Sequence, residues 1–191
     1  MVRQVLTQER IIQAAMDCIE AGQSPTFSTL ARTLGTRSQA LYPYFANQQA
    51  LSYAIFNSAA QQLSDQLKTE LFGQSGRDGL LALAVACRRE VLAHIHLAQY
   101  LLGVPRDTEN PDMQQATDVF HELLGRMISP VYKKPRVRLL AGRWLRDLIV
   151  GDALNVGSGW FQNRELTSDE SFIWLVNAIL DRLALEDQQV Q

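Results

Sequence analysis

Phe27–Tyr44 reads Phe-Ser-Thr-Leu-Ala-Arg-Thr-Leu-Gly-Thr-Arg-Ser-Gln-Ala-Leu-Tyr-Pro-Tyr, and its spacing is that of a helix-turn-helix. Leu30, Ala31 and Leu34 share one face of a first helix. Gly35 follows where a helix end needs a residue that accepts the left-handed region. After Thr36 and Arg37 a second apolar face opens with Leu41 and Phe45, four residues apart. The small side chain of Ala31 lets two such helices cross steeply, and a helix held this way can lay its leading residues in a DNA major groove. Leu, Ala and Gly also make ordinary helical corners, so the flanks must decide.

Upstream, Thr7–Gly22 is one amphipathic helix. Thr7 is its N-cap, Ile11, Ile12, Ala15, Met16 and Ile19 are its stripe, and Gly22 is its stop. Downstream, Asn47 caps a helix that carries Leu51, Ile55, Ala59, Leu63, Leu67 and Leu71 at steps of four. Together these segments resemble the DNA-binding domain of the TetR family of bacterial transcriptional regulators. Thr7, Ile11, Ala14, Ala15, Gly22, Phe27, Ala31, Gly35, Leu41, Tyr42, Phe45, Asn47 and Leu51 match that family's run in order and spacing. The resemblance covers about the first third of the chain. It implies an all-α fold, with a three-helix DNA-binding domain over residues 1–47 and a helical ligand-binding and dimerisation domain over 48–191. It also implies a homodimer on a pseudo-palindromic operator, a small-molecule inducer and a repressor's action.

The same resemblance assigns Thr29, Tyr42 and the N–H groups around Gln48 to phosphates. The polar side of the second motif helix assigns Arg37, Ser38, Gln39 and Tyr44 to the major groove; Gln39 suits adenine, and Arg37 suits guanine or a phosphate. Three positions depart from the family pattern. Gln48 stands where a lysine is usual, Ala40 replaces a glycine or other small residue, and Pro43 falls inside the recognition helix. Proline lacks an N–H, clashes with the carbonyl of Gln39 and biases Tyr42 away from helical angles. A late-starting or kinked helix is expected there, with the aim of Tyr44 left open.

The chain has 191 residues, 47% apolar and 20% charged, which suits one or two globular domains. Charge argues least for nucleic acid: the net value is −2, and residues 1–60 carry Arg3, Arg10, Arg32 and Arg37 against Glu9, Asp17 and Glu20. Binding would lean on arginine, hydroxyl, amide and backbone N–H contacts. The longest apolar run, Leu80–Cys87, is too short for a bilayer, and Arg3 and Gln4 are followed by no signal-peptide core, so a cytoplasmic protein is expected, with no membrane partner. Cys18 and Cys87 have no CxxC or metal spacing and read as buried free thiols.

Beyond Gly73–Gly79, a hinge-like break, the pattern is helical throughout: 78–102, 112–128, 136–157 and a last helix from the capping box at Thr167 to about Leu185. The helix from Asn47 to Phe72 is expected to work as a lever. The last helix is apolar over more than one face, which asks for a second partner besides its own core; Ile173 and Leu180 are candidates to face it. His94, Tyr100, Phe120 and Trp144 are candidates to contact a ligand, though aromatics at helical spacing are more often core. Arg88 and Arg89 could meet an anionic ligand but read first as surface charges. No cofactor, metal site or catalytic residue is expected: HExxH, CxxC and a nucleophile elbow are absent, and Glu90 with His94 is a lone pair. Two other classes fit less well, a helical module whose motif binds a protein, and an all-helical enzyme.

Overall fold

The computed structural model describes residues 5–189; Arg3 lies outside them. The described residues form helices and no strand: α1 (Gln8–Glu20), α2 (Phe27–Thr33), a 3-10 turn (Ser38–Ala40), α3 (Gln48–Glu70), α4 (Gly76–Ala93), α5 (Ile95–Leu102), α6 (Pro111–Ile128), α7 (Pro135–Gly157) and α8 (Ser168–Gln188). The all-α expectation holds. No helix is long and apolar enough to cross a membrane among the described residues. The chain falls into two compact units. The first holds the chain up to Gln62 together with His96–Asp118; the second holds Leu63–Ile95 and the chain from Val119 onward.

Local chemistry explains several helix ends. The Thr7 hydroxyl accepts from the Arg10 N–H at 3.3 Å, and the Asn47 side-chain oxygen Oδ1 accepts from the Ala50 N–H at 2.9 Å. At the start of α8 the Thr167 hydroxyl accepts from the Glu170 N–H, and the Glu170 carboxylate accepts from the Thr167 N–H. The Thr167 hydroxyl also donates to the Glu170 carboxylate at 2.7 Å, and this bond first, then the one from the Thr167 N–H, holds the Glu170 carboxyl below its usual range.

In the first unit, Ile11, Ala15, Leu30, Ala31, Leu41, Leu51 and Ile55 are buried in one core, with Leu97 of α5 joining them. Helix α5 is tied to this core by two further bonds. The Tyr100 and Ser52 hydroxyls lie 2.8 Å apart, and His96 Nδ1 lies 3.0 Å from the carbonyl oxygen of Glu20. The second contact satisfies one of the carbonyls that the end of α1 leaves without a helical partner.

In the second unit, α4, α7 and α8 form the main packing. Leu80, Leu83, Ala84, Leu145, Phe172, Val176, Leu180 and Leu183 are enclosed, with Leu67 and Leu71 of α3. The expected single helix over 78–102 is two helices. His94 sits between them at φ −121 and ψ 44, outside helical angles. At this break the next side chain, Ile95, lies where Gly157 of α7 leaves a gap, and a Cβ built on Gly157 would stand 2.6 Å from Ile95 Cγ1. Gly157→Ala should therefore cost about 1–3 kcal/mol by overpacking, measured by urea denaturation.

Two readings of single residues are corrected here. Leu180 is 1% exposed, so it belongs to the core and faces no partner. Arg88 is a buried cation rather than a surface charge: Nε bonds Asp152, Nη1 reaches Asp169 at 2.6 Å, and the guanidinium carbon lies 4.9 Å from the Phe172 ring centroid. Burial acts to lower its pKa, but the bonds to Asp152 and Asp169 outweigh this and raise it. Arg89 is exposed but engaged, paired with both carboxylate oxygens of Glu70 and with Glu90. Cys18 and Cys87 are free thiols, and burial pushes Cys87 up to about 12.

Candidate nucleic-acid interface

The turn of the motif is built by backbone bonds that the sequence signals. Gly35 adopts φ 63, the Thr36 N–H donates to Ala31 O at 2.8 Å, and the Gly35 N–H donates to Arg32 O at 3.3 Å. This paired closure ends α2 with two of its last carbonyls satisfied. The same closure recurs after α1, where Gly22 at φ 71 sends its N–H to Ile19 O and Gln23 sends its N–H to Cys18 O. Helix α2 starts on Thr26, whose hydroxyl accepts from the Thr29 N–H at 3.1 Å. Sequence reading missed this cap, although threonine just before the apolar Phe27 was the signal for it.

The second element of the motif differs from the expected α-helix. Ser38–Ala40 is one 3-10 turn, and Leu41–Tyr44 continues as a hydrogen-bonded turn. The bonds step three residues back, from Ala40 N–H to Arg37 O, Leu41 N–H to Ser38 O and Tyr44 N–H to Leu41 O. Only at Phe45 does a four-residue step to Leu41 O return. Pro43 supplies the reason: it has no N–H to give and disfavours helical angles at Tyr42. Leu41 and Phe45 are nevertheless buried, so the apolar pair anchors the turn as the spacing required.

Around this turn the candidate residues divide. Arg37 and Gln39 are exposed and Ser38 is half-buried; a shallow concavity is lined by Gly35, Thr36, Arg37, Gln39 and Ala40. Thr29 is half-buried, its hydroxyl 2.9 Å from that of Thr26. Tyr42 is exposed, with its ring edge-on to Phe27 at 5.0 Å between centroids. The Tyr44 hydroxyl donates to the carbonyl of Leu6 at 2.6 Å. The Gln48 side-chain amide donates to the carbonyl of Pro25 at 2.8 Å. Sequence reading did not find these last two partners, which lie 38 and 23 residues away. Gln48 is also the first residue of α3, so its backbone N–H belongs to the electropositive end of that helix.

The ligand candidates lie in different units. Tyr100 is in the first, bonded to Ser52. His94, Phe120 and Trp144 are in the second: His94 is exposed at the end of α4, Phe120 is half-buried, and Trp144 packs against the main core. A separate small concavity of the second unit, about 120 Å³, is lined by Arg77, Tyr132, Leu180 and Asp187 among others. Among the described residues no three metal-ligating side chains converge, and Glu90 is bonded to Arg89.

No protein-family model and no curated protein matches the sequence. Solved structures do match. A TetR variant from Acinetobacter baumannii in complex with minocycline is 19% identical, with a TM-score of 0.69 over 97% of this chain and 100% of that one. A possible TetR-family transcriptional regulator from Streptomyces coelicolor is 18% identical, with a TM-score of 0.70 over 94% and 100%. The Streptomyces coelicolor protein ActR in complex with actinorhodin is 18% identical, with a TM-score of 0.67 over 97% and 100%. Nearly the whole chain therefore takes the fold of TetR-family transcriptional regulators.

Proposed function

We propose that this chain is a ligand-responsive DNA-binding regulator of the TetR type, a homodimer that represses from a pseudo-palindromic operator and is released by a small molecule. The observation that carries the reading is the turn at Gly35. It closes α2 and leaves Arg37 and Gln39 exposed at the leading edge of the motif. In this reading Gln39 pairs bidentately with an adenine, Arg37 meets a guanine or a phosphate, and Ser38 adds a hydroxyl contact. Thr29, Tyr42 and the first N–H groups of α3 hold phosphates. The phosphate contacts assigned here are hydroxyl and backbone N–H groups, with Arg37 the one cation among the assigned contacts, so few counterions are released and the salt dependence of binding is shallow.

The second unit is assigned to dimerisation and ligand response. Helix α8 buries Phe172, Val176, Leu180 and Leu183, yet Trp174 is 72% exposed with Ile173 and Leu175 beside it. Leu139 of α7 is also exposed. A second copy packed on these helices would cover that apolar surface. His94, Phe120 and Trp144 are the proposed ligand contacts of this unit. Two of the similar proteins carry minocycline and actinorhodin, which supports a small organic ligand here as well. Such a ligand releases DNA only by binding the released form more tightly.

The test is anisotropy titration of duplexes selected from a random-sequence pool, repeated over a salt series. Sequence-specific binding is expected. Gln39→Ala should relax preference at one base pair per half-site, at a cost of about 1–3 kcal/mol there. Gln39→Ala binding every base substitution as the parent does would remove Gln39 from the readout, and a parent chain that selects no sequence would end the regulator reading.

A further inference from the structure

The recognition segment has lost the bonding that normally holds a helix rigid. Between Ser38 and Tyr44 its backbone bonds are three-residue steps, and Pro43 has no N–H to contribute. A lone 3-10 turn is a weak platform, since its hydrogen-bond geometry is poorer than that of an α-helix. Base readout needs side chains held to a fraction of an ångström. Buried Leu41 and Phe45 anchor its apolar side, and something else must hold the orientation of its polar side.

Two side chains on its C-terminal flank do so. Tyr44 reaches back to the carbonyl of Leu6, just before α1, at 2.6 Å. Gln48 reaches the carbonyl of Pro25, in the connection between α1 and α2, at 2.8 Å. The Leu6 end is itself tied down, because the Arg10 guanidinium donates to the Val5 carbonyl at 2.7 Å. A phenol has a single hydrogen to donate. While it is given to Leu6, Tyr44 has no donor for a phosphate or a base acceptor.

We propose that Tyr44 and Gln48 are positioning residues that brace the recognition turn against the backbone on either side of α1, replacing the helical bonding that Pro43 removes. Base readout then falls to Arg37, Ser38 and Gln39. The inference rests on the DNA-binding reading above and assigns to these two side chains a role other than touching DNA.

The experiment compares the parent chain with Tyr44→Phe, Gln48→Met, Pro43→Ala and the Pro43→Ala/Tyr44→Phe pair. Each is titrated against the selected operator and its single base-pair variants, over a salt series, with circular dichroism melts as the check on folding. Tyr44→Phe should weaken every duplex by the same factor, about threefold to tenfold, the range of one hydrogen bond. Base preferences and salt slope should be unchanged. Gln48→Met should act in the same way. In the Pro43→Ala background, where four-residue bonding can return, the loss from Tyr44→Phe should shrink to less than about twofold, which a merely structural hydroxyl would not produce. Several results would overturn the brace: a preference altered at one base pair, unchanged affinity, or an undiminished loss in the Pro43→Ala background. Unchanged affinity would leave the regulator reading standing, whereas a parent chain that binds no duplex ends both.

Discussion

A Trp174→Asp chain should sediment as a monomer at micromolar concentration, keep its helical circular dichroism, and bind operator DNA about 10²–10⁴-fold more weakly than the parent. The size of the effect comes from linkage. A dimer places two recognition turns on one duplex, so the second half-site is met at a high effective concentration; a monomer loses this with no change in its own contacts. The position suits the test because Trp174 is 72% exposed, so the charge enters water rather than the core of its own chain. In a dimer the same aspartate would be buried without a partner. Analytical ultracentrifugation and anisotropy titration check the two halves of the prediction. A Trp174→Asp chain that remains dimeric would move the interface away from this face of α8.

Arg88→Ala should lower stability by about 3–5 kcal/mol, the cost of leaving a buried charge without its partner. Arg88 has 7% of its side-chain surface exposed and Asp152 has 11%, so removal of the guanidinium strands the aspartate among apolar groups. For a chain of this length the loss corresponds to a Tm lower by roughly 6–20 °C. Asp169 is 77% exposed and contributes little of this, because water replaces its partner. Arg88→Met combined with Asp152→Leu should recover most of the stability, since two apolar side chains of similar length bury well and the unpartnered Arg88 Nη2 disappears with them. Thermal and urea melts of the three variants decide it. A double variant no more stable than Arg88→Ala would show that the guanidinium contributes through packing on Phe172 rather than through its charge.

The helix-turn-helix was legible because its signals are local. Thr7, Asn47 and Thr167 cap helices by reaching three residues ahead. Gly22 and Gly35 turn the chain so that their own N–H and that of the next residue close the helix by bonds spanning three and five residues. Leu30, Ala31, Leu41 and Phe45 mark buried faces by spacing alone. Chemistry confined within one or two turns can be read from order along the chain, and so the all-α class followed from the sequence. The steric bias of Pro43 against the helix is equally local, although its outcome, one 3-10 turn and a following turn, had to be seen.

What the tertiary structure decided depends on partners far apart in the chain. Tyr44 finds Leu6, Gln48 finds Pro25, and Arg88 gathers Asp152 and Asp169 from two other helices. No spacing rule announces such pairs, because the fold sets the distance and the sequence between them does not. Leu180 and Trp174 look alike in an apolar helix, yet one is enclosed and the other meets water, since burial depends on which helices lie alongside. His94 breaks a helix that its own sequence would continue, and beside the break Ile95 packs into the space left by Gly157, more than sixty residues on. The order of residues determined that the chain is helical and where most of its helices start and stop, the break at His94 excepted. Packing between helices determined which side chains remain exposed, because that depends on what each side chain has already been given to bind.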